Sequence, residues 1–322
     1  MHRRSVTAAL LALGLAPLAA RAQSWPARTI RIINPFPPGS PVDVVSRSVA
    51  QALEGGLKQS VIVDYKSGAG GTIGAGEVAR APADGYTLLV TSSSTHVIAP
   101  ALRRQMPYDA NKDFVPVAMI GYGPTVIVVH PSVPVNTLAE FVQYVKANPG
   151  KVSYASSGPG TILHLSGELF AHKTGTQLLH VPYKGAVPAS TDLLGGQVQA
   201  MFDSISNASP QVRAGKLKAL AVLTPERTPL LPGVPTAIEA GFPGLDFPAW
   251  LGVFAPAGTP KDVVDRIAGT LQSALAQQEV ANKLMQSGIT PAFIAGDAFR
   301  AKLAADQKLV ADLVKVANVP QQ

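Results

Sequence analysis

Two loops of the same design, one in each half of the chain, constrain the fold more than any other feature. The first runs from Phe36 to Asp43 (FPPGSPVD) and the second from Ser156 to His164 (SSGPGTILH). Each follows a short apolar run typical of a strand and precedes a helical pattern. Small residues at a helix N-terminus leave backbone amides unpaired, and the helix dipole adds partial positive charge there, so both loops are typical of anion sites. The repetition predicts two α/β units that clamp one small carboxylate.

The N-terminal segment has the pattern of a signal peptide over residues 1–22. Arg3 and Arg4 form its basic start, a short interrupted apolar stretch follows, and residues 20–22 read Ala-Arg-Ala, an A-x-A cleavage site. The apolar stretch is shorter than the roughly 20 residues that a spanning helix needs. We therefore expect an exported, soluble mature chain that begins near Gln23.

Composition excludes several classes of function. The chain has 0 cysteines, which rules out disulfides and thiolate chemistry, and its 6 histidines lack metal-ligand spacing. The formal charge of +7 falls to +4 when three arginines leave with the signal peptide, and the remaining basic residues are scattered. Neither a cofactor nor nucleic-acid binding is predicted.

Strand-like and helix-like patterns alternate along the mature chain, which indicates α/β architecture. Thr137 and Glu140 form a capping box that opens one helix, Pro260 opens another, and a final helix spans 297–316. The predicted strands are 28–34, 60–65, 86–91, 114–121, 125–130, 151–155, 177–181, 198–202, 217–223, 250–255 and 290–294.

Two stretches are interpreted as crossings between domains. Paired apolar runs flank a Gly-Tyr-Gly-Pro sequence at 121–124, and a proline-rich segment follows at 224–235. The predicted first domain is discontinuous, 24–122 plus 228–322, and the second is 123–227. Two crossings make a hinge.

Four loops of small polar residues leave the carboxyl ends of predicted strands, where ligands bind in open α/β sheets. Two belong to each predicted domain, so they should converge on a cleft. Asp43 is expected to hold its own loop, and Phe36 fits a core position as well as a cleft wall. The candidate ligand-binding residues are Phe36, Pro38, Gly39, Ser40, Asp43, Ser92, Ser93, Ser157, Gly158, Gly160, Thr161, His164 and Asp203.

Two enzymatic alternatives arise from the residues. Ser157, His164 and Asp203 could form a hydrolytic triad, although no G-x-S-x-G sequence supports it. Residues 74–79 match G-x-G-x-x-A, but the strand that follows lacks the acidic residue that a dinucleotide site needs. A carboxylate receptor without catalysis is preferred, with a periplasmic α/β hydrolase as the alternative.

A set of short motifs, in order along the whole mature chain, resembles the Bug-type receptors of tripartite tricarboxylate transporters. Together these motifs are specific, whereas singly most are turn sequences. They are PFPPG (35–39), GAGG (68–71), ADGYTLL (83–89), PYD (107–109), NPGK (148–151), SSG (156–158), HVPYKG (180–185), DLLGGQV (192–198), AGKLKALAV (214–222) and PAGTP (256–260).

The resemblance implies a two-domain periplasmic-binding-protein (Venus-flytrap) fold, with each domain an open, mostly parallel sheet flanked by helices. It implies a periplasmic monomer that delivers a small organic acid to a membrane permease, and a carboxylate held by backbone amides and waters of the two opening loops. This chain departs from the family pattern at Asn34, Ser40, Pro159 and 161–163. Those departures concern the part of the site that contacts the rest of the ligand.

Overall fold

The computed structural model of the protein describes residues 25–183, 185–247 and 249–316, together with residues 319 and 321. The predicted signal peptide and the cleavage site before Gln23 lie outside the described residues. Within them, eleven strands form two sheets and ten α-helices flank these sheets. None of the described helices combines the length and the apolar character needed to cross a membrane.

The first sheet has six strands in the spatial order β11-β4-β10-β3-β1-β2. Strands β1–β2 and β1–β3 pair in parallel, whereas β10 pairs antiparallel to β3 and β4, and β11 pairs antiparallel to β4. The strands are β1 Ile30–Asn34, β2 Val61–Tyr65, β3 Thr87–Ser92, β4 Phe114–Gly123, β10 Ala249–Pro256 and β11 Thr290–Ala295.

The second sheet has five strands in the order β7-β6-β8-β5-β9. Strand β6 pairs in parallel with β7 and β8, and β5 pairs antiparallel to β8 and β9. The strands are β5 Thr125–Val129, β6 Ser153–Ser156, β7 Leu179–Pro182, β8 Ala200–Ser204 and β9 Lys218–Val222.

Both sheets are therefore mixed, and the expected predominance of parallel pairs is wrong. The physical reason is the crossing of the chain between the sheets. Strand β4 ends at Gly123 and β5 begins at Thr125, so the chain enters the second sheet directly, without a crossover helix. Strands β5 and β10, which join the sheets, run against the βαβ strands beside them.

Local sequence sets the helix starts. Ser40 caps α1 by accepting a hydrogen bond from the Asp43 amide at 3.2 Å, with Pro41 at the first helical position. Thr137 caps α4 by accepting from the Glu140 amide at 3.1 Å. The helices are α1 Pro41–Leu57, α2 Thr72–Ala79, α3 Ala99–Leu102, α4 Leu138–Ala147, α5 Ile162–Thr174, α6 Ala186–Leu194, α7 Ile205–Arg213, α8 Lys261–Leu275, α9 Gln278–Gln286 and α10 Gly296–Val316.

Side chains that alternate in direction along each strand form the core on both faces of each sheet. In β1, Ile30 and Ile32 pack with α1 and α8 on one face, and Ile33 joins the large cluster on the other face. In β5, Ile127 faces that same large cluster, whereas Val126 packs on the opposite face. Each helix layer thus fixes the loops at the strand ends.

Each of the eleven predicted strands is present, with ends within two residues of the prediction, and α4, α8 and α10 are confirmed. The first sheet draws its strands from 30–123 and 249–295, and the second from 125–222. The domain limits 24–122 plus 228–322 and 123–227 stay a prediction. The names first domain and second domain denote the first and second sheets, each with its flanking helices.

Candidate functional site

A cavity of about 270 Å³ lies where loops of both domains meet. Its volume is close to the lower end for small-molecule sites, about 300 Å³. The crossing at Pro124 forms part of its wall. The lining residues are Phe36, Ser40, Pro41, Val42, Ser92, Ser94, Ala249, Leu251, Ser287 and Gly288 from the first domain, Ser157, Ile162, Leu163, Ser204, Ile205 and Ser206 from the second, and Gly123, Pro124 and Thr125 between them.

A second cavity of about 310 Å³ adjoins the first. Phe36, Ser94 and Ile162 line both, so these three residues lie at the boundary. The second cavity reaches α3 on one side and residues 159–161 on the other. We call the first cavity the inner chamber and the second the outer chamber.

A larger groove of about 670 Å³ lies between α1, α8 and α9. All its lining residues belong to the first domain, and the loops at the strand ends do not contribute to it. This groove contains none of the loops that the sequence predicts to bind a ligand. The inner and outer chambers are therefore the better candidate site.

Three helices present their N-termini at the inner chamber. Among the described residues, the backbone amides of Val42 in α1, of Ile162 and Leu163 in α5, and of Ser206 in α7 have no hydrogen-bond acceptor, and all four residues line the chamber. The dipoles of the three helices add partial positive charge at the same place. The chamber is therefore suited to an anion without a paired cation.

The two opening loops contribute unequally, which corrects the expectation that both are rich in free amides. In the first loop three prolines have no N–H, the Phe36 amide donates to Asn34, and the Gly39 amide donates to Asp43. Val42 is left as its free donor. The second loop retains three amides that are unpaired among the described residues, those of Ser157, Ile162 and Leu163. The second domain therefore supplies more of the free donors than the first.

Asp43 is buried and fixes the first loop, as expected. Its carboxylate accepts hydrogen bonds from the Gly39 amide at 2.8 Å, from Arg47 Nε at 3.0 Å and from the Tyr65 hydroxyl at 2.7 Å. Burial acts to raise the pKa of Asp43, but these donors outweigh it and hold the pKa below its usual value. The side chain therefore supports the loop and does not line either chamber.

We expect Asp43→Ala to lower the free energy of unfolding by about 3 kcal/mol, because it leaves a loop amide and a tyrosine hydroxyl without their charged acceptor. Chemical denaturation at neutral pH measures this. Asp262→Ala, at an exposed position in the first turn of α8, is the matched control and should change stability by less than about 0.5 kcal/mol. Equal losses in the two variants would contradict the assigned role of Asp43.

Two stacked histidines, His164 and His180, support the second loop, residues 156–164. The Gly160 amide donates to His164 Nδ1 at 3.0 Å, and the His180 ring stacks on His164 with centroids 4.0 Å apart. His180 Nε2 lies 2.7 Å from Ser156 Oγ, which accepts from the Gly158 amide at 3.1 Å. The Gly160 amide is thus paired with His164 and the Gly158 amide with Ser156, so neither is free for a ligand.

Both histidines are kept neutral. Burial, and then the neighbouring His180, lowers the pKa of His164 to about 4, and burial lowers the pKa of His180. Because Gly160 donates to Nδ1, the neutral His164 ring carries its proton on Nε2, which faces Glu168 Oε1 at 3.6 Å. His164 is a support of the loop, 5% exposed, and lines neither chamber.

The proposed hydrolytic triad is not assembled. Asp203 is fully buried and accepts from the Ser204 amide at 2.7 Å and from Asn207 Nδ2 at 2.6 Å. Burial raises its pKa to about 6 against these hydrogen bonds. Both ring nitrogens of His164 are turned to other partners, and among the described residues no hydrogen bond joins Ser157, His164 and Asp203.

The structure brings together part of the predicted set. Phe36, Ser40, Ser92 and Ser157 line the inner chamber, and Phe36, Gly160 and Thr161 line the outer one. The remaining candidates lie in the same loops but line neither chamber: Pro38, Gly39, Asp43, Ser93, Gly158, His164 and Asp203.

Sequence reasoning did not name several residues that line the inner chamber. Ser204 and Ser206 lie in the loop after the strand predicted at 198–202, which is one of the four loops expected at the cleft, but Asp203 is the only residue of that loop among the candidates. Leu251 lies inside a strand, and Ser287 and Gly288 follow α9. These three have no local signal, because only the packing of β10 and α9 brings them to the cleft.

Two α/β domains with a neutral cleft between them define the class of periplasmic solute-binding proteins. The sequence matches the tripartite tricarboxylate transporter family receptor, TctC, over residues 45–316, and the chain belongs to this family. The periplasmic binding protein BugD is 38% identical, with 92% of this chain and 100% of that one covered and a TM-score of 0.72. The resemblance to Bug-type receptors and the two-domain fold are thereby confirmed.

Two further relatives from Rhodopseudomonas palustris were solved with carboxylates. Rpa4515 with adipate is 34% identical, covering 92% of this chain and 99% of that one, with a TM-score of 0.76. MatC (Rpa3494) with bound malate is 34% identical, covering 90% and 100%, with a TM-score of 0.70. The family members are solute-binding receptors, and small carboxylates are ligands within it.

Proposed function

We propose that this protein is a periplasmic receptor that binds a small organic carboxylate in the inner chamber. The observation that carries the proposal is the convergence of three helix N-termini, with unpaired amides at Val42, Ile162, Leu163 and Ser206, on one cavity between two domains. Fixed backbone donors bind an anion without the cost of ordering long side chains. The relatives solved with adipate and malate support a carboxylate as the anion.

The bound acid is expected to leave unchanged. The residues that could act as nucleophile, base and acid are separated by their own hydrogen bonds, as described for His164 and Asp203. A binding role without catalysis is therefore favoured over the hydrolase alternative.

The family and the sequence support a proposal for export, partner and assembly. We propose that the mature chain begins near Gln23, acts as a monomer in the periplasm and transfers its ligand to a tripartite tricarboxylate-type membrane permease. Closure about the crossing near Pro124 and the proline-rich stretch 224–235 would enclose the ligand. The predicted domain limits, 24–122 plus 228–322 and 123–227, are part of this proposal.

A thermal-shift screen of organic acids, followed by mass spectrometry of the recovered ligand, tests the function. A ligand at a hundredfold excess over its Kd stabilises the folded state by about 2.7 kcal/mol. We expect at least one small carboxylate to raise the melting temperature and to be recovered intact. Recovery of a hydrolysis product would favour the hydrolase, and no shift with any acid would contradict a carboxylate receptor.

We expect Ser157→Ala to weaken carboxylate binding by about 1 kcal/mol, or roughly fivefold in Kd, the net value of one neutral hydrogen bond. Ser157 lines the inner chamber, and its hydroxyl has no partner among the described residues. Isothermal titration calorimetry measures the change. Ser273→Ala, on the exposed face of α8, is the control. If Ser157→Ala weakens binding no more than Ser273→Ala does, Ser157 is not part of the site.

A further inference from the structure

We propose that the ligand of this receptor is an acid with a single carboxylate and an apolar body, and that the cleft selects it against amino acids and dicarboxylates. This inference rests on the proposed function, since it concerns the part of the ligand that extends from the carboxylate. The chemistry of the chamber walls carries it.

In the part of the chain that the structure describes, no acidic side chain lines the inner chamber to pair with a cation. Among the described residues, its lining contains no Asp, Glu, His, Lys or Arg. The buried carboxylates nearby are already satisfied: Asp43 by its own loop and Asp203 by Ser204 and Asn207. An ammonium group there would lose its hydration without gaining a counter-ion and would face the positive ends of three helices. Amino acids are therefore disfavoured.

The walls around the helix N-termini are mainly apolar. Val42 and Leu163 stand beside the free amides, Leu251 closes the first-domain side, and Phe36 and Ile162 form the boundary with the outer chamber. A carboxylate held at the amides would extend its body across these side chains. Burial of apolar ligand surface against these side chains is favourable.

Among the described residues, no Lys or Arg lines the inner chamber to pair with a second carboxylate, and the unpaired amides lie at the helix N-termini that hold the first one. The one ionised side chain that lines the outer chamber, among the described residues, is Arg103, and its Nη2 donates to the Ala69 carbonyl at 2.8 Å. A dicarboxylate would have to pass Phe36 and Ile162 to reach it. A second charge placed against the apolar wall would lose its hydration without compensation.

A matched series of six-carbon acids tests the proposal: hexanoate, adipate and 2-aminohexanoate, each titrated calorimetrically into the purified mature protein. We expect hexanoate to bind at least about tenfold more tightly than either of the others, the factor that 1.4 kcal/mol of uncompensated desolvation produces. Adipate or 2-aminohexanoate binding as tightly as hexanoate overturns the inference and leaves the carboxylate receptor intact. Binding of none of them, nor of benzoate and terephthalate as a matched aromatic pair, overturns both.

Two variants test whether the apolar lining causes the preference for hexanoate over adipate. Ile162→Ser should weaken hexanoate binding roughly tenfold, because each buried methylene contributes about 0.8 kcal/mol, and should narrow the gap to adipate. Ile238→Ser, at a position 42% exposed and outside both chambers, should bind hexanoate as the wild type does. Equal affinities of these two variants for hexanoate would overturn the role of Ile162. A dicarboxylate site would be established instead by two results together: the wild type binds adipate more tightly than hexanoate, and Arg103→Met loses adipate binding.

Discussion

Gly160→Val is expected to weaken carboxylate binding at least about thirtyfold, since the strain of a side chain in the left-handed region, about 1–2 kcal/mol, adds to a steric block. Gly160 has φ +73° and donates its amide to His164. A Cβ at this position would run into Leu102 of α3, which belongs to the first domain. The variant must leave the left-handed region and lose the His164 contact, displace the buried Leu102 side chain, or hold the domains apart.

The matched control for Gly160→Val is Gly150→Val. Gly150 has φ +70°, but a Cβ there would meet nothing within 4 Å, so this variant reports strain without the block. It should bind ligand within about twofold of the wild type, because Gly150 precedes β6 whereas the loop of the site follows that strand. Small-angle scattering gives a second readout: saturating ligand should reduce the radius of gyration of Gly150→Val but not that of Gly160→Val.

A double variant separates the two causes. Leu102→Ala removes the atoms that the new side chain would meet, so Gly160→Val with Leu102→Ala should recover part of the affinity lost in Gly160→Val. Unchanged affinity in Gly160→Val alone would show that the domains do not need this contact to bind the acid. The measurement is calorimetric titration with the acid that gives the largest thermal shift.

Strands and helix starts could be predicted because their signals are local. Apolar runs of four to eight residues specify strands such as β1 and β5, and Ser40 and Thr137 cap the helices that they predict. Strand direction could not be predicted in the same way. Whether β10 runs parallel or antiparallel to β3 depends on where a distant segment returns to the sheet, which periodicity does not encode.

The site shows the same limit. Sequence located the loops at the strand ends, but not which of their amides remain unpaired. Asp43 holds its own loop, as the sequence predicts, but the candidate contact His164 also accepts an amide hydrogen bond within its loop. Which donors are left for a ligand depends on these side-chain orientations, and they are fixed by Tyr65 and His180 from elsewhere in the chain.

Acidification is expected to weaken ligand binding through His164, and replacement of this histidine should remove that component. The pKa of His164 in the folded protein is about 4, below its ordinary 6.5. The unfolded chain therefore takes up this proton first, so the stability due to His164 is complete above pH 6.5 and is lost between pH 6.5 and about 4 as the pH falls, by up to about 1.4 kcal/mol per pH unit. A proton on Nδ1 would also oppose the Gly160 amide and face the stacked His180.

The pH dependence due to His164 has to be measured as a difference between the wild type and a His164 variant. The reason is that Asp203 changes the stability of the folded state in the opposite direction as the pH falls. Its raised pKa of about 6 means that the folded state holds this proton more tightly, which favours the folded state as the pH falls from about 6 towards 3.8. Subtracting the curve of a His164 variant from that of the wild type cancels the contribution of Asp203. Glu168, 3.6 Å from His164 Nε2, and Tyr154, which donates to Glu168, remain in both proteins.

His164→Asn and His164→Phe form the matched pair for this measurement. Asparagine does not titrate and offers an oxygen near the position of Nδ1 for the Gly160 amide, whereas phenylalanine keeps the stacking on His180 but leaves a buried amide unpaired, which costs about 1–3 kcal/mol. At pH 7 we expect His164→Phe to bind the acid roughly tenfold more weakly than His164→Asn. Between pH 5 and 3.5, where His164 in the folded protein takes up its proton, the affinity of His164→Asn should fall less than that of the wild type. Parallel pH curves for these two proteins would show that the histidine pair does not transmit acidification to the anion loop, and would leave His164 with a packing role alone.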